Sequence, residues 1–589
     1  MESDRTLIQI SDLSYRPRGA SRDVLKGVNL TIHRGDFCLL LGTSGSGKSI
    51  LTRCLNGLIP HLDEGELGGQ VLVAGKDTRS HPIHEFATTI GMVFQNPDDQ
   101  ILSLRVVDEV AWGVENLGLP HEQISQRVNE YMELLGITYL KDRLTFAISG
   151  GQKQKVSIAS NLAMLQDVLV LDDPTTDLDP VCKAEITRAL ASLHQKSGKT
   201  LIVIEHDLND LVELANRLII MDDGRVAFDD TPARLFSEHY TDLQRLGVNI
   251  PQHVEIAHHA LGGRSRKAAC PVLKEEAFSA LQHSIEDRRL PPAPTRPVQE
   301  LGEVVISVQG LEYAYLEGKP VLQDVNFEIR QGEFLAIIGA NGSGKSTLVG
   351  NLIGLLRPEK GKVIIEGQDT RKADVATLAK DIGYVFQNPD HQLFNSTVAE
   401  EVGFSLRVKG TLPAEAQHTV DETLEIVGLT EYRDRHPFSL SRGQRQKLAV
   451  ATALVHQPRI MLLDEPTTGQ DWHSLQGLLD MMVRLNRQGN TTVMVTHDMD
   501  IVAAYATRVI VMAQGRIVLD GQPEEVFYDH YDELNALNLR PPTVINFCRR
   551  LQAQGFPRFM TSDDLAQYVG LAGDELAQSV ALDAGQAHA

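Results

Sequence analysis

Two stretches of the chain carry the residues needed to hold a polyphosphate: Gly42–Ser49 reads GTSGSGKS and Gly339–Ser346 reads GANGSGKS. Both fit GxxxxGK[ST], the P-loop. The glycines (Gly42, Gly45 and Gly47; Gly339, Gly342 and Gly344) let backbone N–H groups turn inward onto phosphate oxygens. Ser44 and Asn341 sit in the same cradles. A helix expected to begin near Lys48 or Lys345 presents its positive end to the same anion. Lys48 and Lys345 are expected to reach the β and γ phosphates of ATP, and Ser49 and Ser346 to bind Mg2+ through their hydroxyls. Ile50 and Thr347 follow in the nucleotide-binding turn.

The remaining chemistry lies at the ends of apolar runs. Asp172 and Asp464 each close one; a carboxylate there can hold Mg2+ through water or cap the next helix, and the upstream P-loop favours the metal role. The next residue is Glu465 in one case and Asp173 in the other. A carboxylate here can orient or deprotonate the attacking water. Asp is one methylene shorter, and a misplacement of about 1 Å can cost on the order of a hundredfold in rate. Slow hydrolysis is expected where Asp173 serves, unless a backbone shift lets it reach. His206 and His497 each follow another apolar run and are expected at the γ-phosphate. Gln95 and Gln387, at a further strand end, are candidates for contact with Mg2+ and the water. Asp179 and Asp471 are expected to face the other half.

These residues imply a repeated scaffold. VFQNPDDQ at Val93–Gln100 returns as VFQNPDHQ at Val385–Gln392, ISGGQKQK at Ile148–Lys155 as LSRGQRQK at Leu440–Lys447, and IEHD at Ile204–Asp207 as VTHD at Val495–Asp498. Lys48 and Lys345 are 297 apart (345 − 48), Ser149 and Ser441 are 292 apart (441 − 149), and His206 and His497 are 291 apart (497 − 206). Such agreement means a duplicated unit. The expected division is 6–249 and 304–540 for the two units, 250–303 for a linker marked by Pro291, Pro292, Pro294 and Pro297, and 541–589 for a small tail. Asp36–Leu41, Val168–Leu171 and Leu201–Ile204, with Phe334–Ile338, Ile460–Leu463 and Thr492–Val495, read as buried strands. Near-continuous apolar strands between helices imply an α/β fold with a mainly parallel sheet covered on both faces.

The 589 residues carry a net charge of −22. That does not favour polyanions, whose binding rests on clustered Lys and Arg, so no nucleic-acid partner is expected. The five cysteines form no CxxC pair, against a disulfide framework or zinc site. MESDRTLIQI has no apolar signal core, and no apolar run approaches the roughly 18 residues of a membrane span. Any work at a membrane is expected through docking on another protein.

Ser149-Gly150-Gly151-Gln152 and Ser441-Arg442-Gly443-Gln444, each 23 residues before the metal carboxylate (172 − 149; 464 − 441), resemble the signature of ABC ATPases. P-loop, Gln, signature, Asp-Glu and His occur twice in that order. The resemblance covers the two repeats and implies two P-loop NTPase domains of the ABC type, each with a mainly parallel sheet, an antiparallel subdomain and a helical signature subdomain. It implies head-to-tail pairing of the halves, each ATP lying between one P-loop and the other signature. One site then joins Lys345, Ser346, Gln387, Asp464, Glu465 and His497 to Ser149, Gly150, Gly151 and Gln152. The other joins Lys48, Ser49, Gln95, Asp172, Asp173 and His206 to Ser441, Arg442, Gly443 and Gln444, and holds both departures, Asp173 and Arg442. Tyr315 resembles the aromatic that stacks on adenine; in the first half Pro17 aligns there, with Tyr15 a possible substitute.

FQNPDDQIL and FQNPDHQLF are further similar to the ATPases of energy-coupling-factor importers, the vitamin and cobalt or nickel uptake group, as is the C-terminal segment beginning PPTVINF. This resemblance implies an integral membrane coupling subunit docking beside Asn96, Pro97, Asp98, Gln100, Asn388, Pro389, Asp390 and Gln392. It also implies a separate substrate-binding membrane subunit and a peripheral place on the cytoplasmic face of the membrane. A fused pair resembles a minority, some tied to thiamine-precursor uptake. The alternatives are the ATPase of an ordinary ABC transporter and a soluble ribosome-associated tandem ABC protein; the acidic chain, the Pro-rich linker and Asp173 speak against the latter.

Overall fold

Phe37–Leu41, Val168–Asp172 and Thr200–Ile204 are buried along their whole length, as strands covered on both faces must be. In the computed structural model they belong to one six-stranded sheet with the spatial order 225–230, 217–222, 37–41, 200–204, 168–172, 90–93. All neighbours are parallel except the hairpin of Arg217–Asp222 with Arg225–Asp230. The second repeat has the same order: 516–521, 508–513, 334–338, 491–495, 460–464, 382–385. There too a single antiparallel hairpin closes a parallel sheet. Because 37–41, 200–204 and 168–172 are neighbours, the P-loop, His206 and Asp172 all leave the sheet at its carboxyl edge, where open α/β sheets bind ligands.

The structure describes residues 5–176, 178–262, 269–286, 301–316, 318–467 and 470–570. The prolines from Pro291 to Pro297, and the tail beyond 570, lie outside them. Two units are present, Met1–Ser284 and Ile285–Ala589.

Each unit adds a four-stranded antiparallel sheet, Leu25–His33, Thr6–Pro17, Gly65–Val73 and Lys76–Asp77 in the first, and Lys319–Arg330, Val304–Leu316, Lys360–Ile365 and Gln368–Asp369 in the second. Its inward side chains, among them Ile8, Ile10, Leu13 and Tyr15, share a core with Leu40, Val170 and Ile202 of the large sheet. Helices Val106–Glu115, His121–Leu134 and Gly150–Ala163 pack together as a third layer, matched by Val398–Val408, Pro413–Val427 and Arg442–Leu454. Parallel sheet, antiparallel sheet and helical layer are the architecture expected from the sequence.

Part of the segment expected as linker is helical. Helices Gln252–Ala260 and Lys274–Ile285 are folded onto the first unit. Lys274 pairs with Asp210 at 2.7 Å and its amide donates to Glu213 at 2.8 Å. The amide of Cys270 donates to Ser237 Oγ at 2.7 Å. A chain tethered to Asp210 and Glu213 of a preceding turn and to Ser237 of helix Pro232–Glu238 packs as an extension of that unit. The tail likewise packs on the second unit: helix Thr543–Leu551 buries Val544, Ile545 and Phe547, and Tyr528 Oη donates to the carbonyl of Phe559 at 2.7 Å. Among the described residues no helix is long and apolar enough to cross a membrane.

Candidate functional site

Both P-loops run from a buried strand into a helix that begins at the lysine, Lys48–Leu55 and Lys345–Leu352. Gly47 and Gly344 precede these helices at φ 101° and 104°, a region closed to most side chains. At Gly42 a Cβ would stand 2.2 Å from the carbonyl of Met221, and at Gly339 2.4 Å from that of Met512, so the loop must hug the neighbouring strand. The buried Lys48 ammonium donates to the carbonyls of Gly42 (2.8 Å) and Thr43 (2.9 Å). Lys345 does the same to Gly339 (2.7 Å) and Ala340 (3.2 Å). Each lysine is thereby fixed inside its loop, with Gly45, Ser49, Asn341, Gly342 and Ser346 on the exposed side. Thr347 Oγ1 lies 3.3 Å from Tyr315 Oη.

The donor set fits a divalent cation. Ser49 hydrogen-bonds the buried Asp172, and burial pushes that carboxyl above its ordinary range. In the second unit burial and the adjacent Glu465 push Asp464 up to about 6, while Tyr384 Oη donates to it at 3.3 Å. A bound cation would relieve this crowding of carboxylates. Tyr384 escaped the sequence reading; Met92 stands at the equivalent place in the first unit, so the repeats gave no matched pair to notice.

Asp173 and Glu465 both hold left-handed backbone, φ 48° and 49°, strain of a kind that collects at functional sites. Their amides donate to Ile204 and Val495 at 2.9 and 2.8 Å, so the two backbones superpose in kind. The side chains differ. Glu465 Oε2 meets His497 Nδ1 at 2.6 Å, whereas Asp173 Oδ2 stands 3.8 Å from His206 Nε2. The shorter carboxylate faces a different ring nitrogen, and the contact lies beyond hydrogen-bond range.

Ser149 and Ser441 cap the signature helices in reciprocal capping boxes with Gln152 and Gln444. Gly443 is required by packing, since a Cβ would come 2.5 Å from Ser474; at Gly151 it would sit tightly, 3.1 Å from Cys182 Sγ. Around Gly150 nothing lies within 4 Å. The equivalent Arg442 is therefore tolerated by the fold. Asp179 and Asp471 accept the amides of Cys182 (2.8 Å) and Ser474 (2.9 Å), capping helices of their own unit.

Gln95 and Gln387 are exposed after the strand ends. In the stretch that follows, Asn96 and Asn388 cap tight turns, and Gln100 and Gln392 brace them through Met92 O and Ala449 O. Asp98 pairs with Lys153, and Asp390 with Arg445 at 2.6 Å; both partners lie in the first turn or so of a signature helix. Leu102 and Phe394, just beyond, are 71% and 64% exposed, although their amides are pinned by Glu109 (2.9 Å) and Glu401 (2.8 Å).

Tyr315 is 60% exposed and its ring is accessible. Tyr15 is not: it is 2% exposed, and its hydroxyl donates to the carbonyl of Glu64 at 3.2 Å. The suggestion that Tyr15 substitutes as an adenine platform is thus corrected; its ring is core. Glu205, which the sequence reading passed over, is buried beside Asp173. Burial and that neighbouring carboxylate raise its pKa. The signal was available in the repeat, where IEHD faces VTHD.

Nucleotide-binding loops, capped signature turns and strand-end carboxylates, each present in two units, define a P-loop ATPase of tandem construction. The family model for ABC transporters matches residues 25–176 and 322–468. The chain belongs to that family. A Methanosarcina acetivorans protein provisionally named as an ABC transporter ATP-binding protein is 41% identical over 576 residues, covering 95% of this chain and 93% of the relative. A Bacillus subtilis protein, YkoD, provisionally named for HMP/thiamine import, is 35% identical over 533 residues, 90% and 93% of the two chains. Among solved structures, CbiO1 of Clostridium perfringens, described as part of the ABC transporter complex CbiONQ, is 36% identical over 40% of this chain and 95% of its own, with a TM-score of 0.37. The chain is an ATPase that couples ATP hydrolysis to transport.

Proposed function

We propose that this chain is the energy-coupling ATPase of an importer of the energy-coupling-factor type, for a vitamin, vitamin precursor or transition metal ion. It uses Mg2+ with ATP, and its two sites are unequal. The observation that carries the importer reading is the doubled docking stretch. In each unit an Asn-Pro-Asp turn is ion-paired to the signature helix and leads to an exposed apolar side chain on a pinned backbone. Such an anchored apolar knob suits a helix of a membrane coupling subunit, and its ion pair would pass a push to the signature turn. The import named for the B. subtilis relative agrees with this reading.

Within the site Glu465 would hold the attacking water and take its proton, with its carboxylate oriented by His497 Nδ1. That leaves His497 Nε2 for the γ-phosphate. Ser346, Gln387 and Asp464, and Ser49, Gln95 and Asp172, would hold Mg2+, which supplies charge neutralisation to the phosphates. The signature residues of one half would complete the P-loop of the other, so that ATP favours closure and hydrolysis releases it.

The test is a pull-down of the tagged chain from gently solubilised membranes of its own host, with partners identified by mass spectrometry. A polytopic coupling subunit together with a small integral membrane protein is expected. Ribosomal proteins without a membrane partner would overturn the reading.

A further inference from the structure

The two catalytic carboxylates differ by a methylene, but a second difference lies behind them. In the first unit Glu205 is buried at 4% exposure. Its Oε2 accepts the hydroxyl of Thr175 at 2.6 Å, and its Oε1 accepts the amide of His206 at 3.0 Å. Thr175 is two residues past Asp173, and His206 is the histidine facing it. One carboxyl thus clamps both sides of the Asp173–His206 pair, which stands at 3.8 Å. In the second unit the equivalent residue is Thr496. Its hydroxyl accepts the amide of Asp498 at 3.1 Å, a bond within its own turn, and there Glu465 and His497 close to 2.6 Å.

We propose that Glu205 is a positioning residue which, through Thr175 and the His206 amide, holds the first site in a nucleotide-retaining, slowly hydrolysing geometry. The sites then differ by a matched pair, Asp173 with Glu205 against Glu465 with Thr496. Residue 173 alone does not set the difference. A glutamate placed at 173 would extend its carboxylate beside a second buried one, a like-charge pairing that low-dielectric surroundings penalise. The proposal rests on the unequal-site reading and deepens it.

The test uses the purified full chain carrying Glu465→Gln, so that turnover reports the first site. To it are added Asp173→Glu, Glu205→Thr, or both. Steady-state Mg2+-ATP turnover, ATP retained per chain and thermal unfolding are measured. Turnover of the pair is expected to exceed that of either single change about tenfold or more, with retained ATP falling. A purely structural role for Glu205 would lower stability and restore nothing. If Glu205→Thr fails to fold, Glu205→Gln takes its place, because the amide offers one acceptor oxygen where the carboxylate offers two. Full recovery by Asp173→Glu alone, or none with the pair, overturns the proposal. Near wild-type turnover in the Glu465→Gln parent would remove the unequal-site reading and this proposal with it, whatever the transported solute.

Discussion

Asp173 and Glu465 share backbone angles, amide partners and a histidine, so the contrast in their carboxylate contacts, 3.8 Å against 2.6 Å, is a side-chain effect. Arg442 is a second local departure. Since the matching Gly150 has open space around it, Arg442→Gly is expected to change stability by no more than about 0.5 kcal/mol. Gly443→Ala is expected to cost about 1–3 kcal/mol, because its Cβ would press on Ser474. Thermal denaturation of the two variants checks both. The P-loop lysines, the capping Ser-x-x-Gln and the strand-end carboxylates were all legible from residue type and spacing. Tyr15 was misread because motif alignment outweighed strand alternation: Leu13 and Tyr15 are two apart and share the buried face. At Glu205 the contrast of IEHD with VTHD marks the position, but residue type alone does not tell a buried clamp from a surface carboxylate.

Among the elements, the buried strands declared themselves by unbroken apolar runs, each placing its functional residue at the same sheet edge. The helices at Gln252–Ala260 and Lys274–Ile285 did not. They are short, carry no motif, and gain their stability from tertiary docking, which propensity cannot report. His253 belongs to this extension. It is fully buried, its Nε2 is 2.8 Å from the carbonyl of Val272, and burial holds its pKa down to about 4 from 6.5. The unfolded histidine takes up a proton below about pH 6.5 while the folded one resists it. Its contribution is therefore complete above that pH and is lost as pH falls from 6.5 towards 4, by up to ~1.4 kcal/mol per pH unit. Hydrogen exchange over residues 252–260 is expected to quicken between pH 7 and pH 5 after correction for intrinsic rates, and His253→Leu to flatten that dependence. An unchanged pH response in the variant would contradict the assignment.

For the molecule as a whole, duplication is the governing fact. Two units share one sheet order and one set of motifs, and at the site they differ in Asp173 against Glu465 and Glu205 against Thr496. The repeat made the fold, the unit count and most of the site readable, because each half served as a control for the other. It hid what the halves do not share, such as Tyr384 with its bond to Asp464. One glutamate, Glu465, is expected to carry most of the turnover. Steady-state ATP hydrolysis by the purified chain, compared across wild type, Glu465→Gln and Asp173→Asn, tests it most directly. Glu465→Gln is expected to lose about a hundredfold or more and Asp173→Asn to stay within about twofold; equal losses in the two variants would contradict the account.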